Sequence, residues 1–179
     1  MSRLARNPIV YADGIVCTFA DKVLAIKGSN GEIQIKIPYF LDLDVSDKSM
    51  MISLNDPAGK KSRNFPMLGT IRAQIVSAIK GINNPFKKTL ELSGTGYKSA
   101  IKGDILEMSL GYSHPIEVKV PPSLKVVCVK PTLIEVYGIK SEEVGKFVAE
   151  VVAYRKPIPY KGGEILPDGK GVIKKAGKR

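Results

Sequence analysis

The 179-residue sequence predicts an α+β fold built twice: two similar domains from an internal duplication, each an antiparallel β-sheet packed against one α-helix. Three observations carry that expectation. Short apolar-polar alternations follow one another through tight turn signals. The apolar period then lengthens to that of a helix, and this order occurs once in each half. Finally, the two halves superpose as sequences.

In the first half, β-like runs are expected at 15–19, 23–27, 32–37 and 50–54. Ala20-Asp21, Gly28-Ser29-Asn30-Gly31 and residues 44–48 read as turns between them. Connections this short join antiparallel strands, because a parallel pair needs a long crossover. From Leu68 to Lys80 the period changes: Leu68, Ile71, Ile75, Ala78 and Ile79 fall on one helical face, with Arg72, Gln74 and Lys80 opposite.

Gly81-Ile82-Asn83-Asn84-Pro85 breaks the pattern, and the same order then starts again. Strands are expected at 89–92, 97–102, 105–110, 116–120, 125–130 and 133–137. A helix begins near Ser141, which is suited to the N-cap. Glu142 and Glu143 bring negative charge to the first turn, and Val144, Phe147, Val148, Val151 and Val152 form its apolar stripe.

With an offset of 83 residues, Asp21 meets Asp104, Gly28 meets Gly111, and Ile33, Ile35, Ile37, Pro38 meet Ile116, Val118, Val120, Pro121. Reducing the offset to 76 aligns Gly69, Ile71, Ala73, Gln74, Ile75, Val76 with Gly145, Phe147, Ala149, Glu150, Val151, Val152. Glycines, prolines and alternation match together, so one unit is read as used twice. The expected division is 1–81 for the first repeat and 82–179 for the second with its basic arm and tail.

The formal net charge of +11 is unevenly placed: residues 155–179 hold 8 basic and 2 acidic side chains. More than half of the excess therefore lies in the last 25 residues, the distribution of a chain that meets a polyanion with its end. No apolar run reaches the ~18–20 residues of a membrane span. Arg3 and Arg6 are followed by Pro8 and Asp13, which interrupt any signal-peptide apolar region, so a cytoplasmic location and no membrane partner are expected. Cys17 and Cys128 lie far apart in β-branched runs and read as buried, reduced thiols.

The strongest chemical signal is the exit from the second helix, Arg155-Lys156-Pro157-Ile158-Pro159-Tyr160-Lys161-Gly162. Two prolines forbid further helix and hold cationic and aromatic side chains on a stiff arm, which suits a nucleic-acid backbone, RNA above all. The lone histidine, His114, precedes Pro115 at a strand-to-strand turn and has no partner for a metal site or a hydrolytic triad. Gly94-Thr95-Gly96-Tyr97-Lys98-Ser99 lacks the glycine before lysine and the following helix of a phosphate-cradling loop. It reads as a glycine turn that lets backbone approach phosphates, with Tyr97 and Lys98 beside it. No catalytic residue, metal or cofactor is expected. Two other functions are conceivable: an enzyme that uses this turn for a phosphorylated substrate, marked by saturable nucleotide binding, and a basic adaptor whose complex survives nuclease.

The chain resembles the bacterial-type large-subunit ribosomal protein six family. The resemblance rests on Met1-Ser2-Arg3, Pro8-Ile9, Gly69-Thr70-Ile71-Arg72-Ala73, Leu92-Ser93-Gly94-Thr95-Gly96-Tyr97-Lys98-Ser99-Ala100, Leu110-Gly111-Tyr112-Ser113-His114-Pro115 and Tyr154 to Gly162, in that order. It implies two α+β domains from a duplication and a structural, non-enzymatic constituent of the large ribosomal subunit. The implied partners are large-subunit rRNA near the sarcin-ricin loop, neighbouring large-subunit ribosomal proteins, and translation factors nearby. Carried over by motif, the RNA-binding residues are Gly94, Gly96, Tyr97 and Lys98, then Ser113 and His114, then Arg155, Lys156, Tyr160, Lys161 and Gly162. The chain departs from the family pattern at Ile158, where an acidic residue is usual. It departs again at 163–168, which separates Lys161-Gly162 from Gly169-Lys170-Gly171-Val172, and at Ala12-Asp13-Gly14, which lacks a proline.

Overall fold

The computed structural model describes residues 7–11, 14–46, 49–55, 64–158, 160, 163–169, 175 and 177. The chain divides into two compact units, Met1–Pro85 and Phe86–Arg179.

The first unit forms β1 (Ile9–Val10), β2 (Val16–Ala20), β3 (Val23–Gly28), β4 (Gly31–Lys36), β5 (Leu41–Val45), β6 (Ser49–Leu54) and α1 (Phe65–Asn83). Two antiparallel sheets result, in the orders β2-β3-β4 and β1-β6-β5. Asp21 and Lys22 join β2 to β3 with both φ angles positive, the geometry that matches the twist of a two-residue hairpin. Lys22 extends to the Leu41 carbonyl at 3.2 Å and pairs with Asp42, so this turn is tied to β5. Helix α1 packs on β3, β4 and β6, burying Leu68, Ile71, Ile75, Ile79 and Ile82.

The helix starts earlier than its apolar period implied, because Pro66 sits in the first turn, where its missing N–H costs nothing. The sequence reading missed β5. Its Leu-Asp-Leu-Asp-Val alternation buries Leu41 and Leu43, but the aspartates resembled turn chemistry. Part of that expected turn, 47–48, lies outside the described residues.

The second unit forms β7 (Phe86–Ser93), β8 (Lys98–Lys102), β9 (Ile105–Ser109), β10 (Ile116–Lys119), β11 (Leu124–Lys130), β12 (Leu133–Gly138), α2 (Ser141–Tyr154) and β13 (Glu164–Pro167). Its sheets run β10-β9-β8 and β11-β12-β7-β13, all antiparallel. The order β7-β12-β11 repeats β1-β6-β5, and β8-β9-β10 repeats β2-β3-β4. Two α+β units of one topology are thus present, and β13 is the addition to the second. The hydrogen-bond register corrects one detail of the sequence superposition. The Ile37 amide donates to the Lys22 carbonyl and the Val120 amide to the Asp104 carbonyl, both at 2.8 Å, so Lys22 rather than Asp21 stands where Asp104 does.

Helix α2 rests on β7, β12 and β13 and buries Val144, Phe147, Val148 and Val151 over Leu90, Leu92, Ile134, Val136 and Ile165. Lys140, extended at φ −94° and ψ 119°, takes the N-cap expected of Ser141, which becomes the first helical residue. Glu142 and Glu143 occupy the first turn as expected. Glu143 meets Lys140 at 3.0 Å and Ser123, and its carboxyl is held below the usual range by the Ser123 hydrogen bond and then by Lys140. Both cysteines, Cys17 and Cys128, are free but half-buried rather than buried, and each lies on an edge strand of its sheet, β2 and β11. No helix of the described residues is long and apolar enough to cross a membrane.

Candidate nucleic-acid interface

Three segments that are distant in sequence meet at one end of the second unit: the β7–β8 loop at 94–97, the β9–β10 loop at 110–115, and the exit of α2 from Arg155 onward. The meeting point is the ring of Tyr97. Although Tyr97 closes an exposed turn, with its amide donating to the Gly94 carbonyl at 3.3 Å, its side chain is only 7% exposed. A β-carbon on Gly94 would stand 2.7–2.8 Å from three atoms of this ring, and one on Gly163 would stand 2.8 Å from its hydroxyl. One on Gly111 would lie 3.5 Å from the ring edge. Each of the three segments therefore contributes a glycine to the walls around a single aromatic side chain.

Arg155 joins the same segments from above. Its Nε donates to the Gly163 carbonyl at 3.2 Å, and its guanidinium lies 5.4 Å from the centroid of the Tyr112 ring. Its Nη1 reaches the Tyr112 hydroxyl at 3.5 Å, and that hydroxyl donates to the Tyr154 carbonyl, the last of α2, at 2.9 Å. The Tyr112 hydroxyl and then that of Tyr97 raise the pKa of Arg155, which stays charged. The backbone is joined here too: the Ile165 amide donates to the Arg155 carbonyl at 3.2 Å, which brings β13 onto the edge of β7.

The expected site residues divide between surface and support. Gly94, Gly96, Lys98, Ser113, His114 and Lys156 are exposed, as is Tyr160 at 64%. Tyr97 is not available for base stacking, because burial among the glycines leaves its ring no free face. Gly96 has a φ of +77° and nothing within 4 Å of its β-carbon position, so it serves the turn. Gly94 has no positive φ and serves the packing. Arg155 is half-buried, and Lys161 and Gly162 lie outside the described residues. Sequence reasoning missed Tyr112, 45% exposed, although it stands between Gly111 and Ser113 in a stretch already singled out. Its position between two glycine- and serine-rich neighbours was the available signal.

Below the loops, Ser99 is anchored by its amide and hydroxyl to the Pro131 carbonyl at 2.7 and 2.9 Å, which fixes the start of β8 and hence Lys98. The stretch 163–168, which interrupts the family pattern, contains β13 (Glu164–Pro167). Asp168, at φ +53°, ends that strand by pairing with Lys88 and accepting from the Thr89 amide at 3.3 Å. Among the described residues, no group of three or more His, Cys, Asp or Glu could hold a metal ion.

The family described as Ribosomal protein L6 matches residues 93–166, a span that contains all three converging segments. Matches also run the full length of the chain. A "Large ribosomal subunit protein uL6" of Methylorubrum extorquens (strain PA1) is 36% identical over 179 residues, 100% of this chain and 99% of the relative. Proteins of the same name from Gluconacetobacter diazotrophicus and Methylococcus capsulatus are 34% and 37% identical with the same coverage. A duplicated sheet-and-helix scaffold with this similarity places the chain among the structural proteins of the large ribosomal subunit rather than among enzymes. It belongs to the family of large ribosomal subunit protein uL6.

Proposed function

We propose that the chain binds large-subunit rRNA through the loop face of its second repeat, residues 82–179, beside the sarcin-ricin loop and the translation-factor site. Neighbouring large-subunit proteins are its other partners, and the cytoplasmic ribosome is its location. The observation that carries this is the convergence of the two loops and the α2 exit around Tyr97, segments on which Lys98, His114, Lys156, Tyr112 and Tyr160 are exposed. Exposed lysines neutralise phosphates, while exposed tyrosines stack on unpaired bases or bond to sugar hydroxyls. Gly96, with open space at its β-carbon position, and the short side chain of Ser113 let the RNA backbone come close. The family's name concerns the large subunit, and an rRNA contact is the chemistry this surface offers it.

Neutralised phosphates release counterions, so affinity should fall with salt at a log-log slope of roughly −0.7 to −0.9 per contact. Replacing Lys98, Lys156 and Lys161 together by Ala should flatten the slope by about two to three units on the same basis. An unchanged slope would remove the loop face as the RNA site. Crosslinks from assembled large subunits, mapped to both peptide and nucleotide, test the location: the α2 exit should join to sarcin-ricin nucleotides, and crosslinks only to distant helices would refute it.

A further inference from the structure

Arg155 is the cation that sequence patterning most readily assigns to a phosphate, yet its surroundings are those of a fastener. We propose that Arg155 is a positioning residue: by bridging Tyr112 and Gly163 above the buried Tyr97 ring, it assembles the three loops into an RNA-ready face before RNA arrives. The inference deepens the rRNA-binding function proposed above and rests on it for its consequence in binding, though not for its structural content.

Arg155 caps the end of α2, immediately after the last helical carbonyl and two residues before Pro157. Its Nε is spent on the Gly163 carbonyl, and one face of the guanidinium lies over Tyr112. Through the Tyr112 hydroxyl the same group reaches the carbonyl of Tyr154, so the β9–β10 loop is fixed to the helix end. Gly163 is in turn held against the Tyr97 hydroxyl with a φ of +89°, a conformation that only glycine adopts at no cost. Arg155 and Gly163, on either side of the arm, are therefore joined directly through one side chain. Lys156, the next residue, is exposed and has no such attachment, which makes it the phosphate contact. A planar fork that donates in two directions and stacks on an aromatic face is something lysine cannot supply.

Three full-length variants separate the roles: Arg155→Lys, Arg155→Ala and Lys156→Ala, each tested for binding to large-subunit rRNA across a salt series. A positioning residue predicts that Arg155→Lys and Arg155→Ala both weaken binding by about tenfold, since loop ordering is now charged to the binding step, with the salt slope unchanged. Lys156→Ala should instead flatten the slope by about 0.7–0.9. In RNA-free protein, amide exchange at Gly163 and Ile165 should speed up in both Arg155 variants and stay at the wild-type rate in Lys156→Ala. Tyr112→Phe, a milder change that fills the same volume, should give the same sign of exchange effect. The proposal is overturned if Arg155→Lys restores affinity while Arg155→Ala flattens the slope, or if exchange is unaltered in RNA-free protein. Should wild-type protein fail to bind rRNA, the binding function falls, and the exchange result alone still decides whether Arg155 fastens the loops.

Discussion

Gly94 separates two explanations of the glycine turn, because a β-carbon there meets protein and not open space. In the RNA-approach explanation Gly94 is small so that phosphate can come close, and Gly94→Ala would cost binding but not stability. The structure points to the opposite. An alanine at 94 would place its β-carbon 2.7 Å from Tyr97 Cε2 and 2.8 Å from Cδ2 and Cζ. The ring has nowhere to retreat: Gly163 stands close beyond its hydroxyl, Gly111 lies along its other edge, and the side chain is 7% exposed. Overpacking of this kind typically costs about 1–3 kcal/mol, and contact with three atoms of a confined ring favours the upper half of that range. Tyr97→Ala removes an aromatic side chain from the core and should itself cost about 3–5 kcal/mol. In that background, however, the Gly94→Ala collision disappears. The double variant should then be less destabilised than the singles together by roughly the whole 1–3 kcal/mol. Gly96→Ala supplies the control: it has no neighbour within 4 Å, so its cost is conformational, about 1–2 kcal/mol, and independent of Tyr97. Urea unfolding of the full chain followed by far-UV circular dichroism measures all four. A Gly94→Ala variant as stable as wild type, or one whose cost persists after Tyr97→Ala, would refute the packing explanation.

Asn30 donates from Nδ2 to the Ile82 carbonyl at 2.7 Å and the Asn83 carbonyl at 3.1 Å, closing the end of α1; Asn30→Ala should cost about 1 kcal/mol in the same unfolding assay. Glu143 is held below the usual carboxylate range by Ser123 and Lys140 at the start of α2. A lowered carboxyl contributes stability above its unfolded pKa and loses it as pH falls through the folded one. Glu143→Gln should therefore cost roughly 0.5 kcal/mol near neutral pH, and the gap in melting temperature should narrow as pH falls below the ordinary carboxylate range and through the lowered folded pKa.

Most of the scaffold could be read from local pattern. Alternation located the strands whose two faces differ most, such as β4 and β12, and the spacing of Ile71 and Ile75, or of Val144, Phe147 and Val151, fixed both helices. Elements set by partners rather than by their own residues were missed. Two-residue β1 exists because β6 offers it a ladder, and β13 exists because β7 has a free edge and Asp168 ends the strand against Thr89. Neither has an internal periodicity to detect. The segments that converge around Tyr97 were each singled out by the sequence, at 94–98, 111–114 and from Arg155 onward, but their division of labour was not legible. Burial of Tyr97 depends on three glycines from three segments, and sequence spacing gives no information on which faces of a loop turn inward.

The repeated topology relates the loop face of the second unit to the helix end of the first. Buried positions align the helices so that Leu68, Ile71 and Ile75 correspond to Val144, Phe147 and Val151. Continuing the comparison, Ile79 corresponds to Arg155 and Ile82 to Ile158. In the first unit the helix runs on to Asn83; Ile79 is buried, and Ile82, 0% exposed, lies under Gly28, leaving no room for a side chain there. In the second unit Pro157 disfavours helical backbone at Lys156, and α2 stops at Tyr154. Ile158 is then 48% exposed instead of buried. The last turn's contribution to the core must be replaced, and Tyr97, turned inward from the β7–β8 loop, supplies apolar surface at this end of the unit. The helix end also still needs a cap. In the first unit a hairpin-loop side chain, Asn30, reaches the terminal carbonyls; in the second the β9–β10 loop sends Tyr112 to the Tyr154 carbonyl. Tyr112 then carries Arg155 on its ring. Removing one helical turn thus creates the extended cationic exit and simultaneously demands the aromatic and arginine contacts that hold it in place. For that reason, restoring helix by substituting both Pro157 and Pro159 with Ala should not simply lengthen α2: it would drive Arg155 toward the position of Ile79 and release Tyr112, so the loop face and the longer helix are mutually exclusive uses of the same residues.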